Sequence, residues 1–176
     1  MGVLYKAQDT KLNRIAALKF LKPASLGSET DKIRFVTETQ AAASLDHPNI
    51  CTIYSIEESE GQTFIVMACI EGENLETRIQ RGPLKVDEVL DISNQIAEGL
   101  NQAHQKGIVH RDIKSANILI SALGLVKIMD FGLARLAGRT TITETGTTVG
   151  TPAICLQNRH PVRKWIRGQT SGPLAW

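Results

Sequence analysis

The chain has 176 residues, 20 Lys and Arg against 18 Asp and Glu, a net charge of +2 and 42% hydrophobic residues. That is enough apolar content for one cored domain, too little length for two full-sized ones, and too little net charge to argue for a nucleic-acid partner. The longest apolar run, from Phe64 to Ile70, is far too short to span a bilayer, and no basic-then-apolar leader opens the sequence.

In chain order, 3–7 and 14–21 read as two strands joined by a polar turn at 9–13. Residues 28–44 read as a helix with Ser28 as its N-cap, acids at 29 and 31, and a stop at His47-Pro48. Two further strands, 50–56 and 62–70, flank a hairpin turn at 57–61. The clearest helix spans 86–106. Its apolar stripe is Val86, Val89, Leu90, Ile96, Ala97, Leu100 and Ala103, with Gly107 placed as C-cap. Short strands at 118–120 and 125–129 surround a turn at Gly124, and 137–151 is a polar loop with seven threonines. The order of elements predicts an α+β fold with a small sheet lobe first and a helical lobe second.

Three cysteines, Cys51, Cys69 and Cys155, are widely spaced, with no Cys-x-x-Cys or Cys/His cluster. This predicts free thiols in a reducing compartment, the cytoplasm by default, and neither zinc nor a disulfide framework. Charge is uneven along the chain. Residues 1–153 are net −2, whereas 154–176 hold Arg159, Arg163, Lys164 and Arg167, both tryptophans and no acid.

Three strings carry chemistry: Ala16-Ala17-Leu18-Lys19 in a strand, His110-Arg111-Asp112-Ile113-Lys114-Ser115-Ala116-Asn117 after the long helix, and Asp130-Phe131-Gly132. In this order and context they resemble the protein-kinase signature set. Lys114, two residues after the Asp, is similar to the serine/threonine pattern, and the strings around 132–138 and 148–153 resemble bacterial serine/threonine kinases most. The fold this implies is a protein-kinase-like bilobal one, incomplete at both ends: 1–72 as N-lobe remnant and hinge, 73–153 as partial C-lobe, and 154–176 as an unrelated tail.

The resemblance implies a reaction, transfer of the ATP γ-phosphate to Ser/Thr hydroxyls of proteins with Mg²⁺ (or Mn²⁺). Asp112 would orient or deprotonate the hydroxyl. Lys114 would reach the γ-phosphate, and Asn117 and Asp130 would hold the metal. Lys19 would bind the α/β-phosphates, with Glu38 as its partner on the following helix. Ala17 and Leu119 would sandwich the adenine, with Leu4 above, Met67 as gatekeeper, and the backbones of Ala68 and Ile70 on its edge. Asn74 is a weaker ribose candidate. Of the glycine-rich loop only Gly2 remains. Arg111 implies control by loop phosphorylation, with Thr143 and Thr145 as acceptors and Thr151 contacting the catalytic loop. Autophosphorylation and a kinase dimer are further partner expectations. A non-catalytic nucleotide-binding or interaction module, and a small-molecule phosphotransferase, remain the other classes.

After Gly150-Thr151-Pro152-Ala153 the family continues Tyr-Met-Ser-Pro-Glu-Gln, whereas this chain has Ile154-Cys155-Leu156-Gln157-Asn158-Arg159. Plausible codons for the family string, read one base later, yield the observed residues. A family string further on gives Gln169–Trp176 in the same way. A single deleted base is therefore expected to have rewritten 154–176. With the phosphate-covering strand and much of the substrate lobe missing, weak or no activity is expected of this chain.

Overall fold

The computed structural model describes residues 3–21 and 28–131. Gly2, Gly132, Thr143, Thr145, Thr151 and the 154–176 tail lie outside them.

Strands β1 (Val3–Asp9) and β2 (Arg14–Phe20) form an antiparallel hairpin. Its turn is held by Asp9, whose carboxylate accepts the Lys11 and Leu12 amides, both at 3.1 Å. Helix α1 (Glu29–Ala43) starts where the sequence predicts, because Ser28 Oγ accepts the Asp31 amide at 3.1 Å. Strands β3 (Ile53–Ser59) and β4 (Gln62–Ala68) turn through Glu60 and Gly61, at φ 51° and 72°. Two left-handed residues in a two-residue loop match the right-handed twist of the strands they join.

These strands form one sheet in the order β1-β2-β4-β3. Period-two alternation splits its side chains between two faces. Ala17, Ile65 and Met67 face α1 and bury Phe35 and Cys51 with them. Ala7, Leu18 and Phe64 pack on the other side with Tyr5, Phe20 and Val66.

The chain leaves β4 into β5 (Gly72–Asn74), an element the sequence pattern had not marked. It pairs with β6 (Ile118–Ser121), which pairs with β7 (Val126–Ile128). The approach is so close that a Cβ on Gly72 would lie 2.1 Å from the Ile120 carbonyl oxygen. Asn74 then caps α2 (Leu75–Gln80), its Oδ1 accepting the Thr77 amide at 2.7 Å. Six residues with no buried side chain leave little periodicity to read.

Helix α3 (Val86–Gln105) ends as predicted. Gly107 lies at φ 71°, its amide bonds the His104 carbonyl, and the Ile108 amide bonds the Ala103 carbonyl, both at 2.9 Å. The face it buries is a correction to the sequence reading. Ile92, Gly99 and Ala103 are buried, with Ile96 and Leu100 packed beside them. Val86 and Leu90 are 74% and 56% exposed, and Val89 and Ala97 are exposed too. Gly99 decides the orientation, because its bare Cα lets Ile128 and the backbone of Asn49 close onto the helix. No described helix is long and apolar enough to cross a membrane.

Candidate active site

The catalytic string lies between α3 and β6, on a loop whose side chains mostly bond to one another. Asp112 is its centre. Its carboxylate accepts Lys114 Nζ at 2.7 Å and Asn117 Nδ2 at 3.1 Å, and the same Asn117 nitrogen reaches the Asp112 carbonyl at 2.8 Å. Burial alone would raise the Asp112 pKa, but Lys114, Asn117 and the nearby His110 outweigh it and hold the carboxyl below its ordinary range. Asp112 is therefore ionised at neutral pH and aims an acceptor at whatever enters beside it.

His110 fixes this loop to the strand that follows, a role the sequence reading had not assigned. The ring is 1% exposed. Its Nδ1 accepts the Asp112 amide at 3.3 Å, so Nε2 carries the proton and donates to the Met129 carbonyl at 2.6 Å. The ring also meets Phe131 edge-on, centroids 4.6 Å apart. The Met129 amide returns a bond to the Asn117 carbonyl at 2.9 Å. Asn117 and Asp130 thus come to one place through backbone ties, although 13 positions separate them in sequence. Asp130 and Arg111 both hold left-handed backbone, at φ 63° and 68°. Such non-glycine positions cost about 1–3 kcal/mol and concentrate at functional sites.

Across the cleft, Lys19 projects from β2 and forms an ion pair with Asp130. Its expected partner, Glu38, is instead 3.5 Å from Arg111. Ion-pair partners between elements depend on where α1 sits over the sheet, which no local motif encodes. Asp130 supplies the nearest anion to Lys19 in this arrangement.

The apolar residues singled out in the sequence come together from two strands and the segment that follows. Ala17 lies directly opposite Met67 in the β2–β4 pairing, and both are buried. Leu4, Ala68 and Ile70 pack against the same cluster. The Ala68 amide already donates to the Thr52 carbonyl at 2.9 Å, so Ala68 would offer an adenine its carbonyl. Leu119, half-buried on β6, stands between the partners Asn74 and Lys127. Asn74 Oδ1 is engaged as the α2 cap, which weakens it as a ribose ligand. Behind Met67, Cys51 lies in a narrow gap lined also by Ala42, Ile65, Asp130 and Phe131. Burial, with Asp130 nearby, pushes its thiol up to about 12, so it stays protonated.

A strand lysine thus faces a carboxylate beside an apolar slot, next to an ionised aspartate held by a lysine and an asparagine. Residues 1–155 match the protein kinase domain family, and the chain belongs to it. It is 43% identical over 151 residues to the serine/threonine-protein kinase PrkC of Bacillus subtilis, covering 85% of this chain and 23% of that protein. It is 39% identical over 152 residues to PknD of Mycobacterium tuberculosis, covering 86% of this chain and 23% of that one. Among solved structures it resembles the M. tuberculosis PknI kinase domain, with a TM-score of 0.68 and 35% identity, over 76% of this chain and 55% of that one. The chain therefore spans about a quarter of the length of these curated relatives. What these comparisons establish for the chain is membership of the protein kinase domain family.

Proposed function

We propose that this chain carries the nucleotide and catalytic-loop portion of a bacterial serine/threonine kinase, acting on Ser/Thr hydroxyls of proteins in the cytoplasm. The observation that carries the reading is the joined constellation of Asp112, Lys114, Asn117 and Asp130, with Lys19 facing it. Phosphoryl transfer asks the protein mainly for positioning and charge neutralisation. Asp112, ionised, would accept a hydrogen bond from the incoming hydroxyl and take its proton as the oxygen attacks the γ-phosphorus and the bond to ADP breaks. Lys114 and Lys19 would neutralise phosphate oxygens.

The donor set fits Mg²⁺, with Mn²⁺ as substitute. Asn117 and Asp130 offer hard oxygens, and such an ion takes only one or two protein carboxylates, with phosphates and water completing its shell. When bound, the ion would supply further neutralisation of phosphate charge. Leu4, Ala17, Met67, Ala68, Ile70 and Leu119 would seat the adenine.

Titration with magnesium and a non-hydrolysable ATP analogue tests the site. Binding weakened at least about tenfold by Lys19→Ala and by Asp130→Asn is expected, the scale of losing one charged contact. Phosphate transfer to a generic protein, abolished by Asp112→Asn, tests the chemistry. Little turnover is expected from the 176-residue chain itself. Nucleotide binding without any turnover would favour a non-catalytic module, a reading that the Lys19–Asp130 pairing also suits.

Regulation by phosphate on Thr143 or Thr145 meeting Arg111, a contact from Thr151 to the catalytic loop, autophosphorylation and dimerisation belong to the same proposal. So does the frame-shifted origin of 154–176. The family match stopping at residue 155 supports it, and genomic sequence with no kinase reading in the neighbouring frame would overturn it.

A further inference from the structure

One edge of β7 pairs with β6, and the other is met by α3 and by residues 49–51. Val126 donates its amide to Gln95 Oε1 at 2.9 Å, and its carbonyl accepts Asn49 Nδ2 at 3.0 Å. Two positions on, the Ile128 amide bonds the Asn49 carbonyl at 2.8 Å, and the Ile128 carbonyl accepts the Cys51 amide at 2.9 Å. Gln95 stands at the centre of this edge. Its Oε1 also accepts Asn49 Nδ2 at 2.9 Å, and its Nε2 donates to Asp91 Oδ2 at 2.9 Å and to the Gly124 carbonyl at 3.1 Å. A side-chain amide offers two acceptor and two donor positions, and here all four are used. Nothing in the sequence pattern gave Gln95 a task.

We infer that Gln95 is a positioning residue for Asp130, acting through β7. Beyond Ile128 the chain runs directly into the site. The Met129 amide bonds the Asn117 carbonyl, the Met129 carbonyl accepts His110, and Asp130 follows. Val126 and Asp130 are four positions apart, at most about 13 Å of extended chain. Burial of Val126 and Ile128, both 0% exposed, fixes which face of β7 turns inward. It does not set where the strand stands against α3. With three residues, β7 has few rungs to resist sliding, so its height depends on ties at both ends. Gln95 and Asn49 hold the Val126 end, and Asn117 and His110 hold the other. A buried, close-packed strand transmits a shift at one end to the other, and a misplacement of about 1 Å at a reacting group costs far more than one bond. The consequence for the metal rests on the reading of Asp130 as its oxygen donor; the placing of β7 does not.

The test separates the two. The chain has three methionines, Met1, Met67 and Met129, so labelling methionine with ¹⁵N isolates the Met129 amide, identified by its loss in Met129→Leu. Gln95→Leu and Gln95→Met remove the polar bonds at similar length, and each should shift that signal. Each should also weaken binding of Mn²⁺ with a non-hydrolysable ATP analogue about tenfold, the low end for losing a partner behind a metal ligand. Gln95→Glu keeps an acceptor for Val126 and Asn49 but sets a carboxylate beside Asp91, and Asp91→Asn returns a donor to that pair. The exposed Gly124 carbonyl then takes water. The Gln95→Glu/Asp91→Asn double variant should therefore restore both the Met129 signal and the affinity, which a space-filling role for Gln95 would not. An unmoved Met129 signal in the folded single variants, wild-type affinity in both, or a double variant no better than they are overturns the proposal. Failure of both single variants to fold overturns it too, by making Gln95 a requirement of the whole fold. A signal that moves and is restored, with no Mn²⁺ or nucleotide binding even by wild type, upholds the placing of β7 by Gln95 and overturns the metal-site reading instead.

Discussion

The catalytic loop and the Lys19 corner sit on facing sides of one cleft and are assembled in opposite ways. In the loop, Asp112, Lys114 and Asn117 lie within six residues and satisfy one another. At the corner, partners are 111 residues apart for Lys19 and Asp130, and Glu38 reaches Arg111 from another element. A constellation closed locally keeps its geometry wherever its loop is seated. One closed across elements takes whichever partners the packing presents, and changes partners when the packing changes.

The largest expected blow falls on the corner alone. Phe35→Ala removes the side chain that seats α1 on the sheet, 1% exposed, and should cost about 3–5 kcal/mol in chemical denaturation. If the contrast holds, the surviving folded fraction keeps the Asp112–Asn117 geometry while Glu38 loses its position. Gly72→Ala strikes the other side. Its Cβ would meet backbone at 2.1 Å, not a flexible side chain, so a loss of about 1–3 kcal/mol is expected, felt first in the amide exchange of β5 and β6.

Asp112→Asn gives a smaller effect, visible in acid. The Asp112 pKa is lowered in the folded chain, so its carboxylate contributes stability above the unfolded value, near about 4, and that contribution disappears as pH falls through the folded value. The variant should lose stability less steeply than wild type on acidification below about pH 4. Smaller still, Cys51 should resist alkylation at neutral pH, its thiol being pushed up to about 12. Reaction as fast as that of an unfolded control would show that the gap behind Met67 opens readily. Last, Lys6→Ala breaks only the exposed bridge to Glu71 at 2.9 Å and should change stability by about 0–1 kcal/mol.

The same division decides how much the sequence disclosed. Ser28 and Gly107 act through bonds to residues a few positions away, so their chemistry marks the ends of α1 and α3 directly, whereas β3 runs on to Ser59, three residues past the end at 56 that the sequence predicts. The Asp112 loop was legible for the same reason. The buried face of α3 was not, because counting apolar residues favoured Val86 and Leu90 and gave no weight to Gly99, where absence of a side chain allows close approach. The Glu38 partner was not legible either, since Arg111 and Lys19 are both cations within its sector and only the seating of α1 chooses. His110 stood inside a recognised string, but its task appears only when Met129 and Phe131 arrive from later in the chain.

One tie beneath α1 has a mechanical meaning. Lys106 donates to the Ser44 carbonyl at 2.6 Å. A few residues on, Asn49 Nδ2 is held by Gln95 Oε1 at 2.9 Å and the Val126 carbonyl at 3.0 Å. The chain just beyond the C-terminal end of α1 is thereby tied to α3 and its C-cap and to β7, so a tilt of the helix would pivot about that end. Glu38 rides six residues up the lever from Ser44, an arm of about 9 Å at the helical rise. A tilt of about 20° would carry its carboxylate about 3 Å along that arc. A displacement of that size is on the scale of the gap between one ion-pair partner and the next.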